Sequence, residues 1–239
     1  MYGYGGYGGY GYYSSMIFLI PAILLTLYAQ SKVNSAYAKF ARVANRRGIT
    51  GAQAARMILD SNGMNDVPIQ MVSGKLSDHY DPRHRVMRLS QQVYHEPSVA
   101  SVAIAAHEAG HAIQHSVGYA PLQIRNTIVP VVNLCSNMAW PILMVGLLLG
   151  HSAMGDMVFN LGVLLFSSAL IFQLITLPVE FNASNRALEQ LEAMEIVASD
   201  QEARGAKKVL SAAALTYVAA MAMAVANLIR ILAMRGRRD

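Results

Sequence analysis

Residues 127–149, TIVPVVNLCSNMAWPILMVGLLL, and residues 157–179, MVFNLGVLLFSSALIFQLITLPV, are two apolar runs without a charged side chain. Each is long enough to cross a bilayer as a helix, because about 20 residues cover the hydrocarbon core. The connecting residues 150–156 are few and contain no Lys or Arg. We therefore predict a transmembrane hairpin over residues 127–179, with both of its outer ends on one side of the membrane.

Two further apolar segments lie on either side of this hairpin in the chain. Residues 209–229 are long enough to span a bilayer, whereas residues 16–29 are shorter and contain Pro21. We expect residues 16–29 to form either a first span or an interfacial anchor rather than a cleaved signal peptide, because no basic residue precedes them. The hydrophobic content of 54% supports a membrane protein, since it is unusual for a soluble domain of 239 residues.

The positions of Lys and Arg predict the orientation of these segments, because cytoplasmic loops are enriched in both residues. Eleven of them lie between residues 30 and 126 and four between residues 180 and 208, whereas residues 150–156 have none. We therefore expect both basic regions to lie in the cytoplasm. If all four segments span, the basic C-terminal tail falls outside, against this rule. The alternatives are a re-entrant segment at residues 209–229 or a first segment that does not cross the membrane.

The main extramembrane region is expected to be residues 30–126, which contain both helix and strand signals. Thr50 and Gln53 form a capping box, in which each side chain can accept a hydrogen bond from the other residue's backbone N–H. Other elements expected here are a helix over residues 35–46, short strands over residues 68–72 and 85–90, and a long helix over residues 98–116 that Ser98 can cap.

The placement of the basic residues indicates which class of partner the protein binds. The basic residues that give the formal net charge of +5 lie beside apolar segments, where they set topology and contact anionic headgroups. We expect a lipid bilayer and no nucleic acid as partner, and the sequence carries no signal for an oligomeric state. The single cysteine, Cys135, is expected to be a small buried hydrophobic residue. The Tyr/Gly repeat at residues 1–15 is expected to be a disordered tail or an interfacial aromatic patch.

The stretch His107-Glu108-Ala109-Gly110-His111 has the spacing of a zinc-binding H-E-x-x-H motif, and it lies on the helix predicted over residues 98–116. Residues four apart share one face of a helix, so both imidazoles can bind one Zn²⁺ ion. Glu108 is placed to act as general base and acid toward a water molecule. This predicts a zinc peptidase, and the alternative is a helix that merely contains these residue types.

A catalytic zinc site needs a third protein ligand. A metzincin supplies it ten residues after the first histidine, where this chain has Val117. His115 lies on the face of His111 but one turn further along, which favours a role outside the ligand set. Glu180 is the better candidate, because a carboxylate at the end of an apolar span is costly unless it contacts protein, water or metal. An ordinary interfacial glutamate is the alternative.

Three stretches resemble the YugP-like neutral zinc metallopeptidases of bacterial membranes: Gly74–Pro82 (GKLSDHYDP), Ala105–His115 (AAHEAGHAIQH) and Leu177–Ser184 (LPVEFNAS). The resemblance covers most of the chain after residue 15. More distantly, the chain is similar to the HtpX-like and CAAX-processing membrane peptidases, whose downstream Glu-x-x-Ala-Asp pattern implies Glu180 as third ligand. This chain departs from the relatives at Ser184 and at Asn182, which both stand in place of Asp, and this leaves open which groups orient the ligand histidines.

Polar residues before the motif helix are candidates for a supporting role. His79 lies with Asp78 and Asp81 in a compact cluster, and a zinc peptidase needs a donor such as His to stabilise the anionic intermediate. Local turn hydrogen bonding is the alternative role for His79. Residues 85–90 could pair with an extended substrate as an edge strand, unless they form an ordinary buried strand.

Together these observations predict a mainly α, polytopic membrane protein with three to four transmembrane helices and a small α+β, zincin-like cytoplasmic region. We expect a multi-pass protein of the bacterial plasma membrane that holds one Zn²⁺ per chain through His107, His111 and Glu180, with Glu108 as catalytic base. The expected substrates are peptides or membrane proteins, cut by attack of water. The alternative is a zinc-binding scaffold or adaptor without activity.

The expected segments follow the chain in a simple order. They are a Tyr/Gly tail (1–15), a first membrane segment (16–29), a catalytic region (30–126), the transmembrane hairpin (127–179), a cytoplasmic helix with the third ligand (180–208), and a last membrane segment with a basic tail (209–239).

Overall fold

The computed structural model describes residues 16–150 and 152–235, so the predicted tail at residues 1–15 and the last four residues of the basic tail lie outside the described residues. The described part contains seven α-helices and one small sheet. The helices are α1 (Ile20–Phe40), α2 (Gly51–Ser61), α3 (Gln91–His95), α4 (Val99–Ser116), α5 (Ala120–Leu148), α6 (Ala153–Ala193) and α7 (Asp200–Arg235), and the strands are β1 (Ile69–Val72), β2 (His79–Asp81) and β3 (Val86–Ser90).

Four of the helices are long and apolar enough to cross a membrane: α1 with the short turn before it, α5, α6 and α7. The predicted fold class is therefore confirmed as mainly α with a small sheet, and the number of candidate spans is the upper value expected.

Two helices extend beyond their apolar segments. Helix α1 continues to Phe40 through residues expected to begin a separate helix, and α6 passes Pro178 and Glu180 without a break. Good helix formers after Glu180 sustain it.

Among the described residues, one compact unit comprises residues 16–28, 124–150, 152–176 and 217–235. Within it, α5 and α6 approach closely, because a Cβ atom at Gly146 would lie 2.6 Å from the backbone nitrogen of Phe159. Small residues allow such approaches between helices in membranes. Many large apolar side chains of this unit point away from the protein, Leu148 and Leu164 among them. This pattern suits helices that face lipid.

The second compact unit comprises Ala29–Gln123 and Leu177–Thr216. Helix α4 lies in its core, where Ala103, Ala106 and Ala109 are fully buried and their small side chains let other elements pack closely around the helix. The predicted caps are present. The Thr50 and Gln53 side chains accept reciprocal backbone hydrogen bonds at the start of α2, and Ser98 accepts one from Ser101 at the start of α4.

The sheet of the second unit has the order β1-β3-β2. Strand β1 runs parallel to β3, and β2 runs antiparallel to it, so β3 is the central strand. The hypothesis that residues 85–90 form an edge strand is wrong, and the alternative, a buried strand, is correct, because Val86, Met87, Leu89 and Ser90 are all buried. Strand β2 is an edge strand. It escaped prediction because its three residues, His79-Tyr80-Asp81, show no apolar alternation.

Candidate metal centre

Two histidine rings of α4 meet at one point of the second unit. His107 and His111 are one helical turn apart, and their ring centroids are separated by 4.8 Å with an interplanar angle of 83°. Each side chain is 13% exposed, so the rings are largely shielded by protein while retaining access to solvent. The convergence follows from the spacing, because residues four apart lie on the same face of a helix.

Glu180 of α6 completes a three-residue cluster with these histidines. Its Oε2 atom lies 3.3 Å from Nε2 of His107 and 3.4 Å from Nε2 of His111, and the Glu180 side chain is only 5% exposed. Ligand atoms of the three residues all lie within 4.8 Å of one another. Among the described residues, this is the one group of His, Cys, Asp and Glu side chains found with such a geometry.

The two helices that carry the cluster touch at Gly110, inside the H-E-x-x-H stretch. A Cβ atom built on Gly110 would lie 2.5 Å from the backbone oxygen of Ala183 and 3.2 Å from its carbonyl carbon. Only glycine allows this approach of α4 to α6 without displacement of backbone. Because Ala183 is three residues after Glu180, the contact sets how far the carboxylate stands from the histidines.

Gln114, fully buried one turn after Gly110, orients the ring of His111. Its amide nitrogen donates to the backbone oxygen of Val179 at 2.8 Å and to Oδ1 of Asn182 at 2.9 Å, so its amide oxygen faces Nδ1 of His111 at 3.0 Å. Because the carbonyl of Val179 can only accept a hydrogen bond, the Gln114 side chain must turn its amide nitrogen toward Val179 and its amide oxygen toward His111. Nδ1 of His111 therefore carries a proton, and in the neutral ring the lone pair is on Nε2, the nitrogen on the side of Glu180.

A second hydrogen bond holds the other ring. Oγ of Ser184 lies 3.2 Å from Nδ1 of His107, one turn beyond Glu180 on α6. Asn182 makes no hydrogen bond to either ring, and its Oδ1 accepts from Gln114 and from Nε of Arg186 at 2.9 Å. Ser184 and Asn182 are the two positions that depart from the related pattern. Ser184 orients His107 directly, and Asn182 orients His111 through Gln114. Sequence reasoning missed Gln114, although its spacing of three from His111 was the available signal.

Glu108 lies beside the cluster and is held by strand β2. Its side chain is almost fully buried, and Oε2 accepts a hydrogen bond from the backbone N–H of Tyr80 at 3.0 Å. The Tyr80 hydroxyl lies 2.9 Å from Nδ1 of His115. His115 is therefore engaged by the strand and lies outside the three-residue cluster, as its position one turn past His111 suggested.

The polar residues of the cluster before α4 form local hydrogen bonds. The Asp78 carboxylate accepts hydrogen bonds from the backbone N–H and hydroxyl of Ser90, and burial raises the pKa of this carboxyl group. His84, together with Arg88, lowers the pKa of Asp81. His79 is exposed on β2, and its Nδ1 atom lies 2.8 Å from the backbone oxygen of Ser77. That contact matches the local hydrogen bonding that was the alternative to a catalytic role.

The cluster fits a zinc ion by donor type, spacing and charge. Two imidazole nitrogens and one carboxylate oxygen form the donor set of many catalytic zinc sites, which leave a fourth position open. Zinc–ligand distances of about 2.0 to 2.1 Å in a tetrahedron require ligand atoms about 3.3 to 3.4 Å apart, and both Glu180–histidine distances agree with this. Burial lowers the pKa of His111, but the Glu180 and Glu108 carboxylates outweigh it, so the net pKa is raised. The same negative field attracts a cation.

Two comparisons with known proteins match nearly the whole chain. No solved structure matches the chain. A Bacillus subtilis (strain 168) protein named "Putative membrane protease YugP" is 49% identical over 215 residues, which cover 90% of this chain and 93% of that protein. The model of a family described as "Putative neutral zinc metallopeptidase" matches residues 15–236. With nearly the whole chain covered by both comparisons, this protein belongs to that zinc metallopeptidase family.

Proposed function

We propose that this protein is a zinc-dependent endopeptidase of the bacterial plasma membrane. His107, His111 and Glu180 hold one Zn²⁺ ion, and Glu108 is the catalytic base. The observation that carries the proposal is the convergence of both Nε2 atoms on the Glu180 carboxylate at 3.3 and 3.4 Å, with Glu108 buried beside them. The family description and the relative's name support the same class of enzyme.

The proposed reaction is attack of water on a peptide bond. When bound, zinc lowers the pKa of a coordinated water and polarises the substrate carbonyl. Glu108 takes the proton from the attacking water and later passes it to the leaving amine. The hydrogen bond from the Tyr80 N–H holds one carboxylate oxygen of Glu108 in place, so the other is free to exchange the proton.

Features beside the site and in the sequence support a substrate-binding strand and an orientation. Strand β2 is an edge strand that touches Glu108 through Tyr80, so we assign the pairing with an extended substrate to β2 instead of residues 85–90. His79, on the same strand, is the candidate donor to the anionic intermediate. The excess of basic residues in residues 30–126 and 180–208 supports a cytoplasmic active site acting on peptides or membrane proteins near the bilayer.

Glu108→Gln tests the proposal, because the amide can still accept from Tyr80 but cannot take a proton. We expect wild type and variant to bind one zinc per chain, and only the wild type to hydrolyse fluorescent casein in detergent at neutral pH. Glu189→Gln is the matched control, since Glu189 is exposed on α6, and it should retain activity. Equal hydrolysis by Glu108→Gln and wild type would refute the role of Glu108.

The rival function is a zinc-binding scaffold or adaptor that has no catalytic activity. The same variant separates the two, because a scaffold requires the metal and the fold but no proton transfer. If wild type binds zinc, shows no hydrolysis, and the Glu108→Gln gene fully replaces the normal gene in cells, the scaffold is correct. Loss of the cellular role in that variant, with zinc retained, supports the peptidase.

A further inference from the structure

A basic groove lies between the C-terminal part of α1 and the N-terminal part of α7. Its volume is about 640 Å³, within the range of small-molecule sites. Five of its lining side chains are cationic, and the others are small, hydroxylated or apolar. The lining residues that matter here are Lys32, Lys39 and Phe40 from α1 and Arg204, Lys207 and Lys208 from α7.

Four cations of this groove, Lys39, Arg204, Lys207 and Lys208, are poorly compensated by the protein. Among the described residues, no carboxylate lies within ion-pair distance of Lys39, Lys207 or Lys208. Arg204 has one pairing with Asp200 at 4.0 Å, and both side chains are exposed, so this pair neutralises little of the charge. A concave surface lined by one sign of charge concentrates its field. The groove therefore favours an anionic ligand.

The position of the groove in the chain points to the membrane surface. Lys32 follows the apolar segment ending at Ala29 by three residues, and Lys208 directly precedes the one beginning at residue 209. At about 1.5 Å per residue, both lie within about 5 Å of an apolar segment along their helices. That is the depth of the headgroup layer. A free phosphate would need no apolar surface, yet Ala212 and Leu215, which belong to the apolar segment at residues 209–229, line this groove.

We propose that this groove binds the headgroup of an anionic phospholipid. Lys32, Lys207 and Lys208 are the cations nearest the apolar segments and bind the phosphate, while Lys39 and Arg204 add to the positive field further along the helices. Ala212 and Leu215 contact the glycerol backbone of the lipid. Helical spacing supports a built site, because Lys32 and Lys39 share one face of α1, while Arg204, Lys207 and Lys208 share one face of α7. The site brings the two helices together around one lipid, and it is independent of zinc chemistry.

The test measures lipid binding by the full-length protein in a neutral detergent. Native mass spectrometry gives apparent dissociation constants for dioleoyl phosphatidylglycerol and dioleoyl phosphatidylcholine. We expect the anionic lipid to bind wild type at least tenfold more tightly. The double variant Lys207→Gln/Lys208→Gln should bind it about thirtyfold more weakly, at about fivefold for each cation removed near a membrane surface.

The control removes the same number of charges elsewhere in the second unit. Lys75→Gln/Arg83→Gln has the same net charge as the double variant but leaves the groove intact, so it should bind the anionic lipid like wild type. Ser211→Glu, which places a carboxylate on the exposed groove wall, should also weaken binding and serves if the double variant does not fold.

Four results would overturn the assignment. The first three are equal binding of both lipids by wild type, undiminished binding in either groove variant, and equal weakening in the control pair. The last measurement is competition of inorganic phosphate and sn-glycerol 1-phosphate with the anionic lipid. If either displaces the anionic lipid at an equal concentration, the groove is a site for soluble phosphates. Failure of both to compete supports the lipid.

Discussion

Replacing Gly110 with Ala is expected to open the metal centre without removing any ligand atom. The new Cβ would lie 2.5 Å from the backbone oxygen of Ala183, whereas ordinary contacts of this kind begin at 3.4 Å. Because the obstacle is backbone, α4 and α6 must separate by about 1 Å. Glu180 and Ser184 move with α6, while His107 and His111 stay on α4.

A displacement of this size is large compared with what zinc tolerates. Metal–ligand distances in working sites vary by about 0.2 Å, so a shift of about 1 Å either breaks the Glu180 contact or strains the helices. We expect Gly110→Ala to lower zinc affinity by at least about tenfold, as loss of orienting contacts does elsewhere. Overpacking should also destabilise the fold by about 1 to 3 kcal/mol. That corresponds to a fall of roughly 2 to 10 °C in the unfolding midpoint.

The assay combines chelator competition for zinc with thermal unfolding of the same sample in detergent. Gly205→Ala is the control, because its added methyl group meets the side chains of Phe40 and Val99 instead of backbone and lies on a helix without ligands. It should change the unfolding midpoint and leave zinc affinity at the wild-type value. Unchanged zinc affinity in Gly110→Ala would refute the argument that this glycine sets the distance between the helices.

Three further outcomes follow from the contacts of the ligand rings. Gln114→Leu should weaken zinc binding by about 10- to 100-fold, since Nδ1 of His111 loses its acceptor; unaltered chelator competition would contradict this. Ser184→Ala should weaken binding less than Gln114→Leu, because one 3.2 Å contact is lost, and a larger effect would reverse the ranking. Zinc affinity should fall on acidification from about pH 8 to about pH 6, since protons compete at the raised pKa of His111; a flat profile would argue against His111 as ligand.

The parts of the fold and site that depend on short-range spacing could be predicted from the sequence. The helix with His107 and His111 and the capping box at Thr50 rest on contacts within a few residues, which the residue types reveal. The convergence of Glu180 on the histidines was expected from the cost of a carboxylate at the end of an apolar run and from the resemblance to known families. The observed distances supply the geometry that neither argument contained.

Features that depend on packing between distant segments were missed. Gln114 was not singled out from the sequence, because its partner Val179 is 65 residues away in the chain. The close approach at Gly110 is invisible without the position of α6. Strand β2 is three polar residues long, and its pairing with β3 follows from the fold and not from its own sequence.

The central claim is tested most directly by zinc X-ray absorption spectroscopy on the purified full-length protein with one equivalent of zinc. The account predicts a first shell of four nitrogen or oxygen atoms at about 2.0 to 2.1 Å with the outer-shell scattering of two imidazoles. In Glu180→Ala, zinc affinity should fall while the two-imidazole signal persists in any zinc that binds. A spectrum with a number of imidazoles other than two, or full zinc affinity in Glu180→Ala, would contradict the proposed site.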